Sequence, residues 1–222
     1  MKKVYWIIHK DIISEIRSKE IFSSMIIFSL LVVVTFSIAF QFDTEKSGDF
    51  ASGILWIVFI FSGILGLNRS FLVEKDKGCL EGLLLCPIDN SVIYFGKMIS
   101  NNIFVLFMEL LILPIFSIFF NINLFSYILP LSLTIFLGTI GFIAIGTILS
   151  AMTINTRTRE MLLPVILLPV AIPVIISSVK ATGVLLEGGS LSNIDKWIKI
   201  LLAFDIIFIV VSFLTFDYVV EE

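Results

Sequence analysis

The sequence predicts an all-α integral membrane protein with six transmembrane helices and both termini on the cytoplasmic side. Three observations carry that prediction. Hydrophobic residues make up 58% of the 222 and charged residues only 15%, a balance that a water-facing globular surface does not tolerate. Six windows of about 20 apolar residues follow one another, each long enough to cross a hydrocarbon core of about 30 Å. The Lys and Arg residues are shared eleven to four between alternate intervening segments, the asymmetry expected of an N-in, C-in chain because positive charge is retained inside during insertion.

Residues 1–20 come first and read as an interfacial amphipathic helix. In VYWIIHKDIISEIRSKE, Val4, Ile8, Ile12 and Ile16 recur four apart, while Lys3, Lys10, Ser14 and Arg17 gather on the opposite side. Such a helix lies in the interface plane with Tyr5 and Trp6 at headgroup depth, and a plain anchor satisfies the same pattern. His9, the single histidine, has no second imidazole for bis-histidine ligation of haem. The first apolar run is too long for a cleavable leader and ends without small-residue cleavage chemistry, so it reads as retained.

The spans are expected at 21–42, 50–68, 98–120, 124–150, 161–179 and 200–217. Each must be helical, because an unsatisfied backbone amide costs several kcal/mol in lipid. No repeat or low-complexity tract divides them, so residues 1–222 form one domain. The outer segment 180–199 carries Gly183, Gly188 and Gly189 before Ser192, Asn193 and Asp195, the chemistry of a turn opening a helix. A short cap over the outer mouth and a solvated loop are both consistent with it.

The break between the second and third spans, RSFLVEKDKGCLEGLLLCPIDNSVIYFGK, is the most informative stretch. Gly78 and Gly82 bracket a short helix in which Leu80, Leu83 and Leu84 recur at helical spacing, and Pro87 stops it. Asp89 then suits the cap of a helix running into the third span. The leucines, flanked by Glu74, Lys75, Asp76, Lys77 and Glu81, form apolar surface that a partner protein would cover; a turn folded back on the bundle is the alternative. Arg157, Arg159 and Glu160 make a second cytoplasmic charge cluster, suited to the same partner or simply to setting topology.

Within the spans, Glu109 stands midway along the third and Asp205 nearer the outer end of the sixth. A charge at such depth is disfavoured by roughly 2.5–3.5 kcal/mol on insertion scales, so both acids should face the bundle interior or a water-filled cavity. For Glu109 a functional or subunit-interface role and a carboxyl bonded to a neighbouring helix are both open. Gly138, Gly141, Ala144 and Gly146 in the fourth span let helices approach closely, and Pro164, Pro169 and Pro173 should interrupt or kink the fifth. Cys79 and Cys86, with six residues between them, match no redox or zinc spacing. No GxxxxGK[ST] is present, the nearest fragment FGKMIS lacking the first glycine and the preceding strand, so the chain cannot bind and hydrolyse ATP by itself. Neither HExxH nor GxSxG occurs, which argues against an enzyme.

The run GILWIVFIFSGILGLNRSFLVEKDKG with LLLCPIDNSVIYFGK resembles the membrane subunit of an ABC transporter of the ABC-2 kind. More narrowly, RSKE at 17–20, LGLNRSF at 65–71, ELLILPIF at 109–116, GTIGFIAIGTILSAM at 138–152 and NTRTREMLLPVILLPVAIPVI at 155–175 resemble the haem exporter permease B family of cytochrome c maturation (CcmB). One departure is Cys79, where that family usually has threonine. The resemblance implies a multi-pass permease of the bacterial cytoplasmic (inner) membrane whose first cytoplasmic loop is a coupling helix. Glu74, Lys77, Gly78, Glu81, Leu83, Leu84 and Pro87 would then meet a separate ABC ATPase, a dimer holding ATP and Mg²⁺, with Arg157, Arg159 and Glu160 as a second contact. Haem is implied as cargo of the complex, with no cofactor held by this chain alone. A second haem-handling membrane subunit, a haem chaperone and a second copy of this chain are implied partners besides the lipid bilayer, and nucleic acid is not. Two rival readings stand beside it: an ABC-2 permease for a lipid, polysaccharide or drug, and a non-transporting scaffold or intramembrane enzyme.

Overall fold

A computed structural model describes residues 2–39, 47–76, 78–84, 89–154, 156 and 158–220. Among these described residues eight α-helices run in order: α1 (Lys2–Ser18), α2 (Glu20–Ala39), α3 (Ser47–Asp76), α4 (Cys79–Leu84), α5 (Asn90–Phe120), α6 (Ile128–Thr153), α7 (Arg159–Leu186) and α8 (Leu191–Val220), with a short 3-10 turn Leu124–Tyr127 before α6. Among the described residues there is no strand. Six of the helices, α2, α3 and α5–α8, are long and apolar enough to cross a membrane, as the apolar windows require.

Most of the helices overrun the windows that predict them. α3 continues past residue 68 to Asp76, and α5 starts at Asn90, ahead of the apolar window at 98 and with Asp89 at its N-cap position as expected, though without a side-chain cap bond. Apolar runs mark only the stretch facing lipid or core, whereas a helix persists beyond it wherever its polar residues find partners. The 180–199 segment is a correction of the same kind. Neither a cap nor a long loop forms there, because α7 runs on to Leu186 and α8 begins at Leu191. Ala181, Leu185 and Ile194 are wholly buried, so this stretch stays helical to pack, and the connection shrinks to 187–190 around Gly188 at φ +89°. α7 also remains one continuous helix through Pro164, Pro169 and Pro173, so the prolines do not interrupt it.

α3 and α6 are the inner pair, more buried along their apolar stretches than the other four spans. Polar side chains tie the bundle across helices: Trp56 Nε1 donates to Thr182 at 3.0 Å, Tyr94 to the Ala144 carbonyl at 3.1 Å, Ser150 to the Leu67 carbonyl at 2.8 Å, and Ser29 and Ser62 hydroxyls lie 2.7 Å apart. The small residues of α6 act as sockets. A Cβ at Gly138 would strike the Trp56 ring and Ser178, one at Gly141 would strike the Asp205 carboxylate, and one at Gly146 would strike Leu67. Close approach is thus spent on large and polar neighbours inside the chain.

Candidate functional site

The α4 end of the bundle concentrates the charges. Between α3 and α5 the chain turns at Gly78, φ +65°, a left-handed conformation that glycine adopts without penalty. α4 follows as a separate short helix. Gly82 is exposed with open space around it, whereas Leu83 is half-buried and packs on the core. Leu83 is therefore turned inward, as the folded-back alternative has it. Glu81 and Leu84 lie on α4. Lys77 and Pro87 fall outside the described residues, as does Arg157. Arg159 opens α7, with Glu160 exposed beside it.

Glu74 differs from its expected place on a displayed loop. It is 9% exposed and its carboxylate points inward, 2.9 Å from the Lys97 ammonium and bonded to Lys10. Lys97, 2% exposed, also holds Asp11 of α1 at 3.1 Å, and Lys10 lies 3.3 Å from Asp11. Two lysines and two acids from α1, α3 and α5 thus form one network, buried except at Lys10. The reason is desolvation: a charge removed from water must be paired at once, and each member here has an opposite charge within reach. Burial works against the charged carboxylate of Glu74, yet Lys97 and Lys10 prevail and hold it below its ordinary range. Burial likewise opposes the Lys10 ammonium, and Glu74 with Asp11 prevail and raise it.

The network fixes α1 against the bundle with a different face from the one its periodicity suggests. Ile7, Asp11 and Glu15 are the buried residues of α1, while Tyr5, Trp6 and Ile16 are exposed. Ile7 sits in contact range of Gly96 on α5, where a Cβ would approach it to 2.6 Å. At Lys19, φ 56°, the chain breaks and α2 begins. Glu15 bridges this elbow by accepting the Phe22 amide at 2.8 Å, satisfying a first-turn donor of α2. Arg69 on α3 donates to the Glu20 carbonyl at 3.1 Å, and Lys75 donates to the Ile154 carbonyl at 2.8 Å. The end of α3 is consequently tied to α1, to α5 and to the turn before α7.

Sequence reading missed Asp11 and Lys97 as partners. Their signals were present: Asp11 and Glu15 stand four apart on the Ile7 face, and Lys97 follows Gly96 inside a helix.

Deeper in the bundle, Glu109 is 2% exposed and accepts from the Thr139 hydroxyl at 2.8 and 3.0 Å. That is the bond to a neighbouring helix left open by the sequence. Asp205 is buried on α8 against Gly141, near the middle of α6, with neither carboxylate oxygen hydrogen-bonded. Among the described residues no group of three or more His, Cys, Asp and Glu is placed to hold a metal ion.

Six apolar helices, an extra helix docked by buried ion pairs and a short helix breaking the path between two spans define a multi-pass α-helical membrane protein. The family model described as CcmB protein matches residues 2–221, and the chain belongs to the CcmB family. Similar relatives include heme exporter protein B of Rhodobacter capsulatus, 27% identical over 170 residues covering 77% of this chain and 78% of the relative. Heme exporter protein B of Pseudomonas aeruginosa is 24% identical over 84% of this chain and 83% of its own. That of Haemophilus influenzae is 28% identical over 67% of each.

Proposed function

We propose that the chain is the permease subunit of a haem-exporting ABC complex in the bacterial inner membrane, moved by a separate ATPase that docks on the α4 region. The observation that carries this reading is the family match over residues 2–221, with relatives named heme exporter protein B. The basic residues favour an N-in, C-in chain, which sets α4 and the 157–160 cluster in the cytoplasm. ATP closes the ATPase dimer, its motion pushes on α4, and the α3 end, tied to α1, α5 and the Ile154 carbonyl, transmits that displacement to the spans. Haem, or a haem-loaded chaperone, is then delivered or released on the outer side.

A photocrosslinking amino acid at Gly82, whose Cβ direction is open, tests the docking in native membranes. Capture of the ATPase is expected. Absence of any ATPase adduct, with the protein inserted and the ATPase expressed, overturns it.

A further inference from the structure

A cleft of about 470 Å³ lies between α2, α3 and α7 at the α4 end of the bundle, within the size range of small-molecule sites. Its polarity is graded along the helices. Ser24, Asn68, Arg69 and Glu160 stand at the rim, with Leu72 one turn further out on α3. Phe28, Phe61, Ile64 and Pro164 line the wall one to two turns deeper, Phe61 standing eight residues, about 12 Å of helix, from Arg69. The Phe28 and Phe61 rings lie 6.4 Å apart, and Phe61 is 41% exposed, so the apolar end opens on the flank of the bundle. A guest of this cleft is polar at one end and hydrocarbon at the other.

Two opposite charges share the rim without meeting. Among the described residues only Nη1 of Arg69 is hydrogen-bonded, to the Glu20 carbonyl at 3.1 Å and the Ser24 hydroxyl at 3.5 Å. The Glu20 carboxylate is 3.7 Å away, with the two side chains 41% and 58% exposed. A water-facing pair of this kind contributes little, and it leaves Nε and Nη2 of the guanidinium for a bidentate acceptor. Glu160 is exposed and, among the described residues, has no ion pair with Arg69 or with any other cation. The rim therefore offers an anion-binding and a cation-binding group side by side, and a guest that carries both signs engages them together.

We propose that this cleft seats a zwitterionic bilayer phospholipid, its phosphate on Arg69, its ammonium toward Glu160 and the upper part of one acyl chain against Phe28 and Phe61. The remainder of the lipid stays in the bilayer. A glycerol headgroup offers Arg69 the same phosphate but brings nothing cationic to Glu160. A free phosphate or a free amine lacks the hydrocarbon that the deeper wall requires.

Native mass spectrometry of the full chain in detergent, with dioleoyl phosphatidylethanolamine and dioleoyl phosphatidylglycerol at equal concentration, tests this. The ethanolamine lipid should be retained about two- to fivefold over the glycerol lipid, the preference that one exposed charge pair supports. Glu160→Lys, at an exposed position, should invert the order. Leu65→Trp, which fills the cleft from α3, should lower retention of both lipids. Arg69→Gln should do the same and serves where the tryptophan variant does not fold. Retention of the glycerol lipid equal to or above that of the ethanolamine lipid overturns the proposal. So does an order that Glu160→Lys leaves unchanged, retention that neither cleft variant lowers, or a lipid-free dimer, which would give the cleft to a second copy of the chain. Neither ATPase nor haem is in the experiment, so its outcome is independent of the docking reading.

Discussion

The Lys97 ammonium on α5 and the Glu74 carboxylate at the end of α3 lie 2.9 Å apart, both buried. Removing the lysine leaves Glu74 and Asp11 to share Lys10 alone, because Asp11 depends on Lys97 as well. Breaking a buried pair from one side costs about 3–5 kcal/mol. Lys97→Met is therefore expected to lower the thermal midpoint of the detergent-solubilised protein by many degrees and to expose α1 to protease, with Lys97→Arg recovering part of the loss. A melting curve indistinguishable from the unaltered protein would contradict the network.

The pH response of α1 docking follows from the same charges. Glu74 has its folded-state value lowered from 4.5, so its contribution is present above that value and lost as pH falls through the lower, folded one. Lys10 has its value raised from 10.5, so its contribution is present below that value and lost as pH rises through the higher one. Docking should be flat across neutral pH and weaken only in strong acid and strong base. Hydrogen exchange of the α1 amides against pH measures this, and a transition near pH 7 would refute it.

The hydroxyl of Thr139 donates to the Glu109 carboxyl. Interhelical hydrogen bonds in membranes are worth about 0.6 kcal/mol on average and up to about 1.7. Thr139→Val should cost that much in thermal stability, and a double-mutant cycle with Glu109→Gln should show the two sites coupled. If Glu109→Gln melts normally yet abolishes maturation of c-type cytochromes, the carboxyl has a role beyond its bond to α6; normal maturation confines it to packing.

Alanine substitutions should separate sockets from open glycines. At Gly138 the added methyl meets the Trp56 ring, which is held by its bond to Thr182, and Ser178; overpacking of this kind costs about 1–3 kcal/mol. At Gly82 it meets nothing, and the helix-propensity gain of about 1 kcal/mol is free to appear. Thermal melts of the two variants should shift in opposite directions, and equal shifts would sink the socket reading.

The six spans were legible because an uninterrupted apolar run in lipid has one backbone solution, and Gly78 announced its turn through the conformation it permits. The docking face of α1 was not. Its spacing of Val4, Ile8, Ile12 and Ile16 pointed to acyl chains, while the structure buries Ile7, Asp11 and Glu15. Hydropathy scores acids as outward-facing, and only the position of Lys97 on another helix turns them in. Glu74 was misplaced for the same reason, since a charge six residues beyond the expected span boundary at 68 reads as solvated until its partners are known. The partner of Glu109 lies 30 residues away, a pairing that neither local spacing nor composition specifies.

The glycines of α6 also limit how the bundle moves. With Trp56, Asp205 and Leu67 each seated over a missing side chain, α6 is a keyed shaft: turning or sliding it would lift several keys from their slots at once. Low-cost motion leaves α3, α6 and α8 travelling as a block.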